Sequence, residues 1–541
     1  MEKIKQLIQA KVPNATMEEK EFLTVTVKPE DLRILAQTLR YDESACFDYL
    51  VQLIGVDYGD SLGVVYLLST SKDLNSCIVI KTTTDRENPM IPTVSDIWGT
   101  ANLNEREVFG FFGIHFIDHP DMRHLFLTER WKGFPLRKDY DASKAQNPMD
   151  LTSYPMPETT TRWVSGEGAI KEEKIQLFKD DDYVLNIGPQ HPATHGVLHF
   201  RTILEGEIIR KIDVNCGYIH RGIEKLSESL TYPQILHFTD RLDYLSAHIN
   251  RHALCMCVEK AAEIEVPRRA EYIRTIMDEL SRITSHLLSW GCMCMDMGAL
   301  TAFIYGMRDR EKVLDIFEET CGGRLIQNYN VIGGVMADIH PNFVNHVKEF
   351  IPYMRKNLKE YHQIYTGNVI ARQRMIGVGH LSQETAVSFA VSGPVGRASG
   401  FHCDLRKIAP YAAYNDVEFK EIVRTEGDCM ARYMNRLDEI EESLHIIEQL
   451  IDKIPDGEFC AKTKAIIKLP EGEYFQRIEA ARGEFGVYIM SKGEKTPYRL
   501  KFRSPSMALV SVMDTICQGA KIADLITIGG SMDYVIPDID R

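Results

Sequence analysis

The sequence predicts an α+β protein of two domains joined by a linker: a small N-terminal α+β domain over residues 1–140, a linker over 141–180, and a mainly helical domain with β-hairpins over 181–541. Three observations carry that expectation. Short strand-like runs alternate with amphipathic helical runs as far as about residue 140. Periodicity then lapses into Ser, Thr, Pro, Glu and Lys, including Glu158, Thr159, Thr160 and Thr161, and the stretch is longer than a connection inside a compact domain. Beyond residue 230, apolar residues recur at helical spacing over long stretches.

A chain of 541 residues, 44% hydrophobic and 26% charged, has material for more than one core. Its net charge of -14 and the lack of any lysine-rich run exclude a broad nucleic-acid surface, which needs clustered Lys and Arg. No apolar run approaches the roughly 18 residues of a membrane span, and residues 1–10 form an amphipathic pattern with lysines rather than an export signal. A soluble, cytosolic protein is therefore expected, one free to dock on a membrane partner.

In the first domain, residues 23–27 read as a strand and 29–39 as a helix, with proline and acids at its start and Leu32, Leu35 and Leu39 on one face. Residues 64–68 and 77–81 are further strands, giving a sheet covered on one side. Glu105, Arg106 and Glu107 precede Phe109, Phe111 and Phe112. His119 to Arg123 and Trp131 to Asp139 follow, with Pro120, Pro135, Arg137 and Lys138 among them. So much Phe, Trp, Pro and alternating charge on irregular backbone suits a segment laid across another protein surface, or a domain edge. The first domain reads as a binding module.

In the second domain, residues 183–187 and 197–204 are strands flanking a loop, Gly188 to Gly196, that carries His191 and His195. Such a loop either presents an imidazole to a buried ligand or is a tight connection whose histidines bond backbone. The second strand forms a hairpin with 207–214 around Glu205 and Gly206. Helices follow at 232–265, 267–318, 341–362 and 417–454. Residues 485–490 and 498–502 flank a Lys492–Gly493 turn as a second hairpin, and a helix over 506–518 leads to a tail, 529–541.

Within the helix expected at 232–265, Asp240, Arg241 and Asp243 stand beside Tyr244 in apolar surroundings, where charges must be solvated, paired or used. His248 and His252 have the i, i+4 spacing of zinc ligands but lack the glutamate of HExxH, and read as a structural pair. Asp296 lies in an apolar run, where either a cationic partner balances it or Gly298 ends the helix and opens it to water. Twelve cysteines include the pairs Cys255/Cys257 and Cys292/Cys294. Two residues apart on a helix they point roughly 200° from each other, so packing is expected and no metal site.

The stretches GPQHPATHGV from Gly188, HRGIEK from His220, DRLDY from Asp240, MDMGALTAF from Met295 and the ending from Gly530 to Arg541 together resemble the D subunit of respiratory complex I. EREVFGFFGI from Glu105, HPDMR from His119 and PLRKDY from Pro135 resemble its C subunit. The chain thus resembles a natural C/D fusion along nearly its whole length. The resemblance implies a peripheral-arm component of a proton-pumping NADH:quinone oxidoreductase of the respiratory electron-transport chain. It further implies a quinone-reduction site shared with the small iron-sulfur protein of the complex, its B subunit, which carries the terminal 4Fe–4S cluster. By resemblance, His195 and Tyr244 approach the quinone head group, Asp296 pairs with His195, and Arg221 lies near the partner's cluster. A phenol and an imidazolium are suitable hydrogen-bond donors to ring carbonyls as negative charge develops there.

Quinone is then a substrate. The chain has no cysteine framework for an iron-sulfur cluster, no flavin or dinucleotide fingerprint and no GxGxxG, so it holds no cofactor alone, and NAD binding belongs to the wider complex. The implied partners are the B subunit, the ferredoxin-like iron-sulfur I subunit, the A and H subunits of the membrane arm, and proteins of the NADH module. The implied location is the cytoplasmic side of the bacterial inner membrane. The same role in a complex fed by ferredoxin, flavodoxin or another donor is an alternative, and a non-catalytic scaffold is a third reading.

The D part is also similar to the large subunit of nickel-iron hydrogenases. At the positions of that family's four metal-binding cysteines stand Asp243, Ser246, Val535 and Asp538, which excludes a thiolate-bound nickel-iron centre. Ile326 and Val331 depart from the complex I pattern, which often has a histidine and an arginine there. A titratable neighbour of the cluster is then missing.

Overall fold

Leu23, Val25 and Val27 are buried on the strand Leu23–Val27, and Leu32, Leu35, Ala36 and Leu39 make the buried stripe of the helix Pro29–Tyr41. Pro29 opens that helix, Glu30 and Asp31 lie beside the positive end of its dipole, and Arg40 lies in its last turn. The computed structural model describes residues 2–141, 143, 157–166, 170–191 and 194–541. In it the strand joins a five-stranded sheet of spatial order Thr16–Glu19, Leu23–Val27, Asp73–Asp85, Ser61–Thr70, Tyr49–Asp57. All pairings in this sheet are antiparallel except that of Leu23–Val27 with Asp73–Asp85.

This sheet is covered on both sides, not one. Every residue of Tyr49–Asp57 is buried. One face packs on the helices of the first domain. On the other, Tyr49, Val51, Ile54, Val65 and Leu67 meet Val387, Ala390, Phe401, Phe475 and Tyr488 of the C-terminal half. A strand buried on both faces loses the alternation that marks a one-sided sheet. Its outer edge is closed as well: the guanidinium groups of Arg503 and Arg499 donate from Nε to the Val51 and Gly55 carbonyls at 2.9 and 3.1 Å. Those arginines fill the hydrogen-bonding edge that would otherwise recruit another strand.

The stretch around Glu105 is also a correction, because Ala101–Phe112 is an α-helix ended by Gly113 at φ 71°. Its charged residues are buried along with its aromatics. The Glu105 carboxylate accepts the Val94 N–H at 2.8 Å, Arg106 Nε donates to the Arg123 carbonyl at 3.1 Å, and Glu107 pairs with Lys501 and Arg541. Inward-facing charges erase the polar stripe by which an amphipathic helix is recognised. The surface the first domain lies across is therefore, in large part, the chain's own second half.

The span expected as a linker contains an antiparallel hairpin, Thr159–Ser165 with Ile170–Gln176. Residues 142, 144–156 and 167–169 lie outside the described residues. Most of the hairpin is exposed, so no buried face marks it in the sequence. Trp163 anchors it, its ring 4.1 Å from that of His115.

The second half begins with a three-stranded antiparallel sheet, Tyr183–Ile187, His199–Glu205 and Ile208–Asn215. The helix expected at 232–265 is two, Tyr232–Thr239 and Ala247–Ala261, and residues 240–246 form the turn between them. The Asp243 carboxylate accepts the Leu245 N–H at 3.1 Å and the Ser246 hydroxyl, a local alternative to the helical ladder. The span 267–318 likewise divides into Arg268–Asp296 and Leu300–Cys321, with Gly298 at φ 89° between them. Phe343–Tyr361 and Cys429–Leu450 fall inside their expected spans.

Gly483–Ser491 pairs with Arg499–Arg503 as expected, and a further strand, Gly472–Ala480, extends the sheet. The helix expected over 506–518 is two short ones, Pro505–Ser511 and Met513–Cys517. The supposed tail is core: Met532, Tyr534, Ile536 and Ile539 are buried there, and so are Asp538, Asp540 and Arg541. Among the described residues, no helix is long and apolar enough to cross a membrane.

Candidate functional site

The loop after Tyr183–Ile187 depends on its glycines. A Cβ on Gly188, at φ 94°, would lie 2.0 Å from the Leu198 carbonyl oxygen, and one on Gly196, at φ 148°, 2.6 Å from Ile536 Cγ1. The Thr194 hydroxyl braces the turn, 2.8 Å from the carbonyl oxygens of both His191 and Gly196. Pro192 and Ala193 lie outside the described residues. His191 is exposed on the loop, whereas His195, held at φ 51°, turns inward.

His195 Nε2 meets Asp296 Oδ2 at 2.5 Å, with the two side chains 23% and 8% exposed. Both sequence alternatives for Asp296 hold in part: the helix does end there, yet the carboxylate is buried and paired. Burial by itself would lower the His195 pKa. The hydrogen bond and charge of Asp296 outweigh it, Asp533 adds to them, and the pKa is raised above the usual histidine value. A raised pKa keeps the imidazolium populated toward neutral pH, where it is a proton donor.

Tyr244 stands on the turn 240–246 and not inside a helix. It is 41% exposed, and its hydroxyl has no hydrogen-bond partner among the described residues. Its phenol pKa is raised, by burial first, with Arg482 opposing and Asp243, Cys292 and Asp533 adding. Asp533 is thus felt by both Tyr244 and His195, and Cys292 feels both Asp533 and Asp296. These groups share one region of charge. Cys292 lies one helical turn before Asp296, and burial, Asp533 and Asp296 push its thiol up to about 11.

Beneath Tyr244 lies a residue that sequence reasoning missed. Arg482, fully buried at the turn between Gly472–Ala480 and Gly483–Ser491, donates to Asp243 Oδ2 at 2.7 Å, to the Ser285 hydroxyl at 2.9 Å, and to the Asp533 carbonyl and carboxylate at 2.8 and 3.1 Å. It locks the turn that carries Tyr244 to the segment that carries Asp533. The available signal was indirect, since two carboxylates in apolar motifs require a cation. Of the hydrogenase-like ligand positions, Asp243 reaches Arg482 directly, and Ser246 and Asp538 are held by Asp243 and by the Ser504 hydroxyl.

The remaining candidates fall elsewhere. His248 and His252 are buried, and both donate from Nδ1 to Asp278, at 2.7 Å each. Cys255, Cys257 and Cys294 are buried in the main core and Cys292 is partly exposed. Among the described residues, no group of three His, Cys, Asp or Glu side chains is arranged to hold a metal ion. Arg221 is exposed; it donates from Nη2 to the Arg241 carbonyl at 2.8 Å and from its backbone N–H to the Arg541 carbonyl at 3.2 Å. Ile326 and Val331 are partly buried, and Arg324 is held by Glu311, Asp315 and Glu318.

A family model described as respiratory-chain NADH dehydrogenase, 49 Kd subunit, matches residues 296–469 and 461–541, and one described as the 30 Kd subunit matches residues 25–146. The chain is 61% identical over 508 residues to the C/D subunit of NADH-quinone oxidoreductase from Phocaeicola vulgatus, an alignment covering 93% of this chain and 97% of that one. The corresponding protein of Bacteroides thetaiotaomicron is 59% identical over 517 residues, with the same coverage of 93% and 97%. The D subunit of NADH-quinone oxidoreductase from Bacillus mycoides is 47% identical over 365 residues, 67% of this chain and 100% of that protein.

Proposed function

Since the chain belongs to the C/D subunits of NADH-quinone oxidoreductase, we propose that its second domain forms one wall of the quinone-reduction site, with Tyr244, His195 and Asp296 around the head group. The observation that carries this reading is the 2.5 Å His195–Asp296 pair in the same charge environment as an exposed phenol whose hydroxyl has no hydrogen-bond partner among the described residues. Reduction of a quinone to a quinol takes up two electrons and two protons. The phenol of Tyr244 is a donor to one ring carbonyl. His195, with Nε2 engaged by Asp296, keeps Nδ1 as a second donor, and Asp296 balances its charge while the proton is held there.

Electrons reach this site from a 4Fe–4S cluster in the small iron-sulfur protein of the complex, with Arg221 on the side facing it. A fixed positive charge there favours the more negative, reduced cluster. Residues 1–140 and 181–541 correspond on this reading to the C and D parts of the fusion, with 141–180 joining them. The other neighbours are the ferredoxin-like iron-sulfur protein and the A and H subunits of the membrane arm, at the cytoplasmic face of the inner membrane.

Replacing Tyr244 by Phe removes one hydroxyl and nothing that the fold depends on. Native-quinone reduction by the assembled complex is expected to fall by about 100-fold or more, the usual contribution of a positioned proton donor, with assembly unchanged. Undiminished turnover would remove Tyr244 from the mechanism.

A further inference from the structure

Residues 216–222, which carry Arg221, form a loop with almost no regular structure of its own. Two other parts of the chain hold it. From one side comes the C-terminal pair: the Asp540 carboxylate accepts the Gly217 and Ile219 N–H groups at 2.8 and 3.0 Å, its carbonyl meets His220 Nδ1 at 2.6 Å, and the Arg541 carbonyl accepts the Arg221 N–H. From the other side comes the N-terminal domain. The His220 ring packs against both Phe111 and Phe126, at 5.2 and 5.6 Å, and is within 11° of parallel to Phe126; the two phenylalanine rings are 5.8 Å from each other, so the three form one aromatic cluster. Gly217, at φ 102°, comes so close to that domain that a Cβ would lie 2.4 Å from the Phe126 carbonyl oxygen.

The two supports are themselves joined. Glu107 of the first domain takes Arg541 Nη2 at 2.8 Å and Lys501 with its other oxygen, and all three side chains are buried. Arg541 Nη1 is in turn 3.3 Å from Glu224, two residues beyond the loop in the helix Ile223–Ser227. Arg221 thus has its backbone fixed by a residue whose own side chain is anchored on the first domain.

We propose that the first domain, through Glu107 and Phe126, is a positioning element for Arg221: it fixes the loop that holds this guanidinium toward the partner's cluster. The proposal rests on the reading that Arg221 faces that cluster. It gives the first domain a part in tuning electron transfer, in addition to being a surface for assembly. When the clamp loosens, the guanidinium moves off, the reduced cluster loses a stabilising charge and its midpoint potential falls.

The test is a redox titration of the partner's cluster, followed by its paramagnetic resonance spectrum, in the purified intact complex. Arg221→Gln serves as the reference, Glu107→Gln cuts the anchor, Glu107→Asp keeps its charge, and Phe126→Leu removes the ring that packs on His220 and under the Arg541 guanidinium while leaving every charged side chain of the ion cluster in place. The expected result is a lower midpoint in Arg221→Gln, with Glu107→Gln and Phe126→Leu shifted in the same direction by a smaller amount and Glu107→Asp near wild type. A tenfold change in the reduced-to-oxidised ratio corresponds to about 59 mV. If Arg221→Gln shifts the midpoint and Phe126→Leu and Glu107→Gln do not, the positioning role is wrong. If Arg221→Gln itself leaves potential and spectrum unchanged, the reading of Arg221 fails and takes the proposal with it. Should Glu107→Gln fail to assemble, Phe126→Leu decides alone.

Discussion

Asp296 closes a contact across 101 residues of chain, its carboxylate 2.5 Å from His195 Nε2. Because the carboxylate outweighs burial and raises the His195 pKa, the imidazolium persists to higher pH than it would alone. Asp296→Asn removes the charge and leaves burial, which lowers that pKa. The alkaline limb of the pH–rate profile for quinone reduction is therefore expected to move to lower pH, with the rate at pH 7.5 falling by at least about tenfold. An unchanged limb would mean that some other group titrates there.

Gly530 offers a gentler perturbation of the same pair. A Cβ on it would lie 3.1 Å from Asp296 Oδ2, so the carboxylate has to give by a few tenths of an ångström. Gly530→Ala is expected to shift the alkaline limb in the same direction as Asp296→Asn but by less. A shift toward higher pH would contradict the displacement.

Much of this arrangement was legible in the residues themselves. The strand Leu23–Val27, the helix Pro29–Tyr41 and the histidine loop appear where pattern puts them, and in that helix the reason is a one-sided, periodic stripe of buried residues. The turn at 240–246 was not legible, because it contains no Gly or Pro and apolar spacing runs straight through it; only the side-chain bonds of Asp243 break the helix. Nor was the burial of the last residues. Asp538, Asp540 and Arg541 read as a tail until Ser504, the Gly217 amide and Glu107 are seen to bind them, and those partners are far away in sequence. Contacts between domains carry no local period, so the second face of the N-terminal sheet was invisible for the same reason.

The pair His248 and His252 yields a prediction about stability. Burial would raise the Asp278 pKa, but the charge of His252 and the hydrogen bonds of both histidines reverse it, and the carboxyl sits well below its usual range. With the folded pKa below the unfolded one, the contribution is present above the unfolded carboxylate value of about 4 and is lost as pH falls through the folded value. Asp278→Ala is expected to destabilise the second domain by about 3–5 kcal/mol near neutral pH, the usual cost of breaking a buried polar pair. Denaturant titration at pH 7 and at about pH 3 checks this: the lower pH lies inside that window, so the difference between variant and wild type should shrink there. A difference independent of pH would assign the loss to packing.

On the proposed reading, the positions Ile326 and Val331 bear on the partner's cluster. The resemblance puts a histidine and an arginine there, and this chain supplies two aliphatic side chains that bind no proton. Arg324, nearby in sequence, does not substitute for them, because Glu311, Asp315 and Glu318 hold its guanidinium on the acidic face of Leu300–Cys321. A redox group changes potential with pH only if a neighbour takes up a proton on reduction, and full coupling of one proton to one electron gives about 59 mV per pH unit. The midpoint of the partner's cluster is accordingly expected to vary between pH 6 and 8 by much less than that slope. Ile326→His should restore a dependence, steepest around the ordinary histidine pKa of about 6.5. A wild-type complex with the full slope would show that another group in the complex takes the proton, and Ile326→His would then add little.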